Sequence, residues 1–205
     1  MKLSLQEQET IDAYNQNASA FSKSRNKVGA WLEEKQKLKT LLKQGKILDI
    51  GCGSGRDAKE LINLGFEYIG IDYSEKLLEE SRKNNPGVLF LKQSVYELDF
   101  PKNSFDSFWA CAILLHMPKD KINNALKSIH GVMKTGAIGC ITLKKGEGEK
   151  FVDDDHSGIQ YKRFFSFYQQ DEFINILNRN NFDVLESYEK DRSNKKWLVF
   201  FVSVK

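Results

Sequence analysis

The sequence predicts an α/β fold: a mostly parallel sheet of seven strands with helices on both faces and an antiparallel hairpin at the carboxyl end. Three observations predict it. Between residues 46 and 145, short apolar runs alternate with amphipathic stretches, as in parallel strands joined by crossover helices. A glycine-rich turn follows the first apolar run. From residue 169 onward, one amphipathic stretch precedes two apolar runs that a short polar turn joins.

Each element follows from its local pattern. A stripe of apolar residues about every 3.6 positions predicts a helix over 119–133, and Pro86 ends an earlier helix that Ser74 caps. The predicted helices are 3–20, 29–44, 56–64, 74–84, 119–133 and 169–180. The predicted strands are 46–50, 67–72, 88–93, 105–112, 137–144, 182–190 and 196–204.

Composition and charge exclude several classes of protein. Lys and Arg total 31 against 28 Asp and Glu, a net charge of +3, which argues against binding to nucleic acid or to membranes by bulk charge. The sequence contains no apolar run long enough for a transmembrane helix, and its amino terminus lacks the apolar core of a signal peptide. Cys52, Cys111 and Cys140 lack metal-ligand spacing. We therefore expect a cytoplasmic protein with reduced thiols and no metal site, either a monomer or a homodimer.

The strongest local signal is a turn with glycine at 51, 53 and 55, between the first strand and the first crossover helix. Glycine is needed where the backbone turns sharply and a ligand approaches closely. The turn lies at the carboxyl edge of the predicted sheet, where open α/β folds bind ligands. A dinucleotide fingerprint is not met, because Arg56 occupies the third glycine position, and no Gly-Lys-Ser/Thr of a phosphate loop follows.

Acidic residues around this turn indicate the charge of the ligand. Asp49 ends the first strand, Asp57 opens the following helix, and Asp72 ends the second strand. A carboxylate in the position of Asp72 can accept hydrogen bonds from both hydroxyls of a ribose. The residues therefore indicate a nucleoside with a cationic amino-acid tail, and S-adenosylmethionine has this chemistry.

At these residues the sequence resembles the S-adenosylmethionine-dependent methyltransferases of the Rossmann-like class I, in particular small bacterial ones. The resemblance rests on Asp49-x-Gly51-x-Gly53-x-Gly55, on Asp72, and on the runs 100–106 and 114–118. It extends over nearly the whole chain. It implies one methyltransferase domain, 1–205, with a helical lid (1–45), a cofactor-binding core (46–145), a substrate loop (146–168) and a closing helix and hairpin (169–205).

The resemblance also implies the cofactor contacts. Asp49 and the loop backbone would hold the methionyl part, and Asp72 the ribose. Ser94 stands where the family commonly has Asp, so it and Val95 are candidates at the adenine edge only. Aromatic faces suit a sulfonium, and Tyr14 and Phe21 are seven residues apart on one face of a helix. The predicted cofactor residues are Tyr14, Phe21, Asp49, Gly51, Cys52, Gly53, Ser54, Gly55, Asp72, Tyr73, Leu77, Ser94, Val95, Ala110 and Cys111.

A methyl acceptor needs a positioned nucleophile, and a base only where it must lose a proton. Candidate bases are Tyr14, His116, His156 and Tyr168, of which His116 follows the fourth strand and Tyr14 lies on the lid. In the stretch 160–168, cations alternate with aromatic residues. Arg163 can pair with a carboxylate or phosphate of the acceptor. We expect Tyr14, His116, Arg163 and Tyr168 to converge beside the transferred methyl group of a small polar or acidic acceptor.

Three alternatives remain open from the sequence. Tyr14-Asn15, Arg25 and the stretch 192–197 are similar to tRNA wobble-uridine side-chain methyltransferases, although no basic extension is present. A non-catalytic module that keeps the cofactor fold is a second alternative. A metal held by the acidic run 153–156 is a third, but adjacent acids usually point in different directions.

Overall fold

The computed structural model describes residues 2–25, 29–156 and 159–205. The helices are α1 (Leu5–Arg25), α2 (Leu32–Leu41), α3 (Ala58–Asn63), α4 (Glu75–Asn84), α5 (Ile122–Val132) and α6 (Gln170–Arg179). The strands are β1 (Gly45–Ile50), β2 (Phe66–Asp72), β3 (Phe90–Lys92), β4 (Phe105–Cys111), β5 (Met133–Lys144), β6 (Glu149–His156), β7 (Ile159–Ser166), β8 (Phe182–Arg192) and β9 (Lys195–Val204).

The main sheet has seven strands in the order β3-β2-β1-β4-β5-β9-β8. The first five strands along the chain run parallel, whereas β9 is antiparallel to both β5 and β8. This arrangement confirms the predicted fold class. It also brings the carboxyl ends of the parallel strands to one edge, together with the turn between β8 and β9.

Helices cover both faces of this sheet. On one face, α5 and α6 bury residues such as Leu126, Ile129 and Phe173 in a large core. On the other face, Leu38 of α2 and Leu61 of α3 pack into a second core. The apolar stripe that predicted α5 is thus the face that packs on the sheet.

Several boundaries differ from the sequence prediction for local reasons. The glycine turn delays the start of α3 to Ala58, because the positive φ angles of Gly53 and Gly55 are incompatible with a right-handed helix. The hairpin strands β8 and β9 extend to a two-residue turn, Ser193 and Asn194, which have φ angles of 51° and 57°. Positive φ at both turn residues matches the twist of a tight hairpin.

The stretch 146–168 is not the predicted loop. Most of it forms an antiparallel hairpin, β6 paired with β7, in a two-stranded sheet separate from the main one. The backbone N–H of Phe164 donates to Thr10 Oγ1 of α1 at 3.0 Å, so the hairpin packs beneath the amino-terminal helix. The charged residues and glycines of this stretch suggested a loop. The alternating side chains of β7 nevertheless allow it to pair with β6 as a strand.

No helix in the described ranges is long and apolar enough to cross a membrane. The described side chains also contain no group of three or more His, Cys, Asp or Glu arranged to hold a metal ion. The metal alternative for 153–156 depends on the side chains of Asp154, Asp155 and His156, which lie outside the description. The three cysteines are buried free thiols.

Candidate active site

A cavity of about 530 Å³ opens at the carboxyl edge of the main sheet. The glycine loop and the ends of β2 and β4 form its floor, and α1 and the β6–β7 hairpin form its roof. Its volume lies in the range of about 300–1,000 Å³ that is usual for small-molecule sites.

The glycine loop forms one wall through its backbone. Gly51, Gly53 and Gly55 all have positive φ angles, of 71°, 55° and 75°. A Cβ at Gly51 would lie 2.5 Å from the side chain of Ile113, whereas one at Gly53 would meet only the ring of Phe21, at 4.0 Å. Gly53 therefore leaves space on the cavity side that any side chain would occupy.

Asp72 is joined to this loop by hydrogen bonds. Its carboxylate accepts from the backbone N–H of Gly53 at 2.9 Å and of Ser74 at 2.8 Å. Burial raises the pKa of Asp72, and these backbone hydrogen bonds offset part of that effect. The carboxylate and the loop, each predicted to contact the ligand, are thus also in direct contact with each other.

The other two acidic residues do not offer the ligand a free carboxylate. Asp49 does not line the cavity; it accepts a hydrogen bond from Tyr68 Oη at 2.6 Å within the core. Burial and the neighbouring charge of Asp57 raise the pKa of Asp49. Asp57 does line the cavity, but its oxygens are bound by Lys35 Nζ and Arg56 Nη2, each at 2.5 Å. Asp49 is thus buried off the cavity wall and bound by Tyr68, so the structure gives no support to a direct contact between its carboxylate and the ligand.

Helix α1 lies over the cavity and is fixed to α4. Ser74 Oγ donates to Asn15 Oδ1 at 2.7 Å, and Asn84 Nδ2 donates to Ser22 Oγ at 3.0 Å. On its inner face, the rings of Tyr14 and Phe21 meet edge to face with centroids 5.1 Å apart. The predicted shared face of these two residues is confirmed, and both line the cavity.

Three side chains from distant segments form a hydrogen-bonded chain at the roof. His116 Nδ1 lies 2.7 Å from the carbonyl oxygen of Phe164, which can only accept, so Nδ1 carries the proton of the neutral ring. His116 Nε2 then accepts from the Tyr14 hydroxyl at 3.0 Å. The Tyr14 oxygen in turn accepts from Arg163 Nη1 at 2.5 Å. We call this arrangement the Tyr14–His116–Arg163 chain.

The electrostatics of this chain favour a neutral histidine. Burial, together with the positive charge of Arg163, lowers the pKa of His116 to about 3. A second buried cation, Lys144, lies beside it, with Nζ 3.6 Å from the ring centroid of Phe165. The guanidinium carbon of Arg163 lies 5.2 Å from the same ring. This end of the cavity is therefore cationic and aromatic.

The adenine-edge candidates lie at the opposite end, past Asp72. Tyr73, Leu77, Ser94 and Val95 all line the cavity, as predicted. Ser94 Oγ accepts from the backbone N–H of Tyr96 at 3.2 Å, which orients it at the start of a turn.

Besides Asp49, three predicted residues lie off the cavity wall. Tyr168 is fully buried behind the hairpin against Phe173, with ring centroids 5.0 Å apart. It lies five positions after Arg163, an odd number, so strand alternation would direct it away from the cavity side even if β7 continued that far. Ala110 points into the core one position before Cys111, and the Gly55 backbone packs against Asn85. The predicted convergence holds for Tyr14, His116 and Arg163 and is wrong for Tyr168.

The structure adds cavity residues that the sequence reasoning missed or left unassigned. Trp31, Lys144 and Trp197 come from three segments that meet only in the folded chain, and Arg56 and Arg192 join them on the wall. Two of these residues, Arg56 and Arg192, could have been identified from their positions in the sequence. Arg56 directly follows the glycine loop, and Arg192 begins a polar turn at the sheet edge.

Residues 47–136, from β1 into β5, match the family model described as a methyltransferase domain. The full chain also superposes on the 1,6-didemethyltoxoflavin-N1-methyltransferase of Burkholderia thailandensis, solved with S-adenosylhomocysteine and its substrate. The TM-score is 0.72 at 19% identity, over 100% of this chain and 93% of that one. Residues 47–136 therefore resemble a methyltransferase domain, and the whole chain has the Rossmann-like fold of class I methyltransferases. The family resemblance noted in the sequence is thereby confirmed.

Relatives within and around this family differ in what they do. YqeM of Bacillus subtilis (strain 168), a candidate methyltransferase, is 29% identical over 155 residues, which are 72% of this chain and 56% of that protein. The chain spans 26% to 56% of the length of the first curated relatives that it matches. The cyclase SpnF shares the fold with a TM-score of 0.72 at 15% identity, over 98% and 97% of the two chains. The fold alone therefore does not specify the reaction.

Proposed function

We propose that this protein transfers a methyl group from S-adenosylmethionine to a small-molecule acceptor that carries a polar or anionic group. One observation carries the proposal: a single cavity joins the glycine loop and Asp72 to the Tyr14–His116–Arg163 chain. The first pair offers backbone N–H donors and a carboxylate acceptor to a nucleoside with an amino-acid tail. The second has a cation and a directed hydrogen-bond acceptor beside it.

The residues present fit S-adenosylmethionine. The open space at Gly53 lets a ligand contact the loop backbone, and Asp72 keeps lone pairs for two ribose hydroxyls beyond those used by backbone N–H groups. The aromatic pair Tyr14 and Phe21 faces the same space and suits a sulfonium. When bound, the cofactor supplies an activated methyl group to a nucleophile.

At the acceptor end, Arg163 would pair with an anionic group, and Tyr14 would position the nucleophile. The Tyr14 oxygen has two lone pairs, of which Arg163 uses one. The second can accept a hydrogen bond from an acceptor hydroxyl or amine. His116 holds the Tyr14 proton away from that side, because its Nε2 is the only ring nitrogen free to accept. This fixed orientation supplies the alignment on which a displacement at carbon depends.

Enclosure supports a small acceptor. His116 and Arg163 are each only 6% exposed, beneath α1 and the hairpin. A ligand reaching them must enter the cavity, which suits a compact molecule better than a folded nucleic acid. The Burkholderia enzyme, solved with bound 1,6-didemethyltoxoflavin, gives a precedent on the same fold.

Calorimetry with S-adenosylhomocysteine is the first test. Binding with micromolar or tighter affinity is expected, and no binding at millimolar ligand would overturn the cofactor assignment. The second test uses a labelled methyl donor with a metabolite extract in one arm and bulk tRNA in the other. Label in the metabolite arm supports the proposal. Label in tRNA alone would replace the small acceptor by a nucleic acid, and label in neither arm would favour a non-catalytic module.

A further inference from the structure

The turn between β8 and β9 forms part of the cavity wall away from the Tyr14–His116–Arg163 chain. In the hairpin register, Arg192 pairs with Lys195, and Lys190 pairs with Trp197. Paired and alternate residues share a face, so Arg192, Lys195 and Trp197 all point to the cavity side, where they line it. Lys196 pairs with Asp191 and faces the other way.

Arg192 is held on an aromatic support. Its guanidinium carbon lies 4.7 Å from the ring centroid of Trp31, which itself meets Trp197 edge to face at 5.3 Å. Trp31 has a φ of 58°, a strained left-handed conformation for a residue with a large side chain. Strain of this kind persists where the surrounding structure fixes it, and it is common at ligand sites.

Among the residues that the structure describes, the charge of Arg192 has no counterion. Within residues 2–25, 29–156 and 159–205, its guanidinium forms no hydrogen bond and no ion pair, although Lys190 on the same strand is bound by Glu33 and Glu34. An arginine that stacks on a ring and keeps its donors unpaired is preorganised for a planar anion.

Arg56 is its cationic neighbour. Arg56 Nη2 contacts Cys111 Sγ at 3.2 Å and pairs with Asp57, which Lys35 also neutralises. Burial and the positive charge of Arg56 lower the pKa of Arg192, as expected for two cations facing one space. Glu60, the remaining carboxylate of this group, is also bound by Lys35, so the cluster keeps an excess of positive charge.

We propose that Arg192, together with Arg56, binds the carboxylate of the cofactor's amino-acid tail. The inference rests on the proposed function. With the ribose on Asp72, the tail follows the loop from Gly51 to Ser54, and the next residue on that wall is Arg56. The tail carboxylate then arrives between the two guanidinium groups. The acceptor is left with the other cationic end, at Arg163.

Two cofactor analogues test this assignment. S-adenosylhomocysteine has the complete tail, whereas 5′-methylthioadenosine has the same adenosine and sulfur without the amino acid. Both are titrated by calorimetry into the wild-type protein and into Arg192→Gln. The variant should weaken S-adenosylhomocysteine binding about 10- to 100-fold, the effect of a lost charge-assisted hydrogen bond. Methylthioadenosine binding should change by less than about twofold, because that ligand cannot reach the site.

Lys196→Gln is the matched control, since it removes the same charge from the opposite face of the hairpin. It should leave both affinities unchanged. If Arg192→Gln weakens the two ligands equally, or neither, the carboxylate assignment is overturned. If wild-type protein binds neither ligand, the proposed function itself fails. Thermal denaturation checks the fold of the variant; should it unfold, Arg192→Lys keeps the charge without the planar fork and must still lower selectivity for the complete tail.

Discussion

The two ends of the cavity are built in different ways. At the cofactor end, the glycine loop and Asp72 belong to consecutive strands, and the Gly53 N–H donates to a carboxylate 19 positions away. At the acceptor end, Tyr14 bonds to His116 across 102 positions and to Arg163 across 149. The first end depends on backbone conformation, and the second on side chains brought together by α1 and the β6–β7 hairpin.

Because the two ends are built differently, they suit different functions. The backbone of the glycine loop would contact the cofactor, which is the same in every methyl transfer, and the loop tolerates few substitutions. A roof of side chains on an inserted hairpin can be changed without disturbing the sheet. We therefore expect variants at the two ends to separate cofactor binding from turnover.

Gly53→Val should have the largest effect and should abolish measurable S-adenosylhomocysteine binding, a loss of more than about 100-fold, because its side chain would occupy the cavity. Gly136→Val is the control, since Gly136 also has a positive φ, 79°, with no atom within 4 Å of its Cβ position. Both variants should lose about 1–2 kcal/mol of unfolding free energy from backbone strain. Calorimetry and denaturant titration distinguish the two. Retained binding in Gly53→Val would mean that the ligand does not approach the loop.

Asp72→Ala should weaken cofactor binding by about 2–4 kcal/mol through the loss of two ribose hydrogen bonds. Asp106→Ala is a control at the opposite edge of the sheet, where Asp106 also accepts from a backbone N–H, that of Lys46, at 2.9 Å. It should lower stability without changing affinity. An unchanged dissociation constant in Asp72→Ala would remove Asp72 from the cofactor site.

Arg163→Gln should reduce kcat/KM about 10- to 100-fold with the acceptor that the label screen identifies, because the anionic group loses its partner. Cofactor affinity should stay within about twofold. Lys162→Gln removes the neighbouring charge, which is largely exposed near Asp153, and should leave turnover unchanged. A fall in cofactor affinity without a fall in turnover would contradict the division of the cavity into two ends.

His116 is expected to affect stability rather than ligand binding, through a dependence of the unfolding free energy on pH. Its pKa falls from 6.5 to about 3 on folding, so below pH 6.5 the unfolded chain binds a proton that the native protein does not. The unfolding free energy should therefore fall as the pH is lowered from 6.5 toward 3, by up to about 1.4 kcal/mol per pH unit. His116→Gln should flatten this slope in chemical denaturation at several pH values. Parallel curves would show that His116 titrates normally in the fold.

Local patterns predicted most of the main sheet. Ser74 was predicted to cap a helix, and the N–H of Leu77 donates to its hydroxyl at 3.2 Å. The apolar stripe of α5 faces the core as predicted. A helix cap and an apolar stripe each depend on residues that are close together in the sequence, so local patterns are enough to predict them.

The sequence misled where long-range pairing decided the outcome. The charged stretch after β5 suggested a loop, but its strands satisfy each other's backbone hydrogen bonds beneath α1. Asp49 was predicted to bind the ligand, but its carboxylate lies off the cavity wall and accepts a hydrogen bond from Tyr68. In each case the competing partner is remote in sequence, so no local pattern contains it.

By itself the sequence determined the order of the strands and helices of the main sheet, the glycine turn and the position of Asp72 at the end of the second strand. These follow from local periodicity and from backbone conformations that glycine alone adopts easily. Only the tertiary structure decided which charges remain available to a ligand. Asp57 is neutralised by Lys35 of α2, whereas Arg192 keeps its donors unpaired among the described residues because Trp31 rather than a carboxylate lies against it. Which side chains are buried next to each other decides whether a charge is paired, and that is determined by the whole fold.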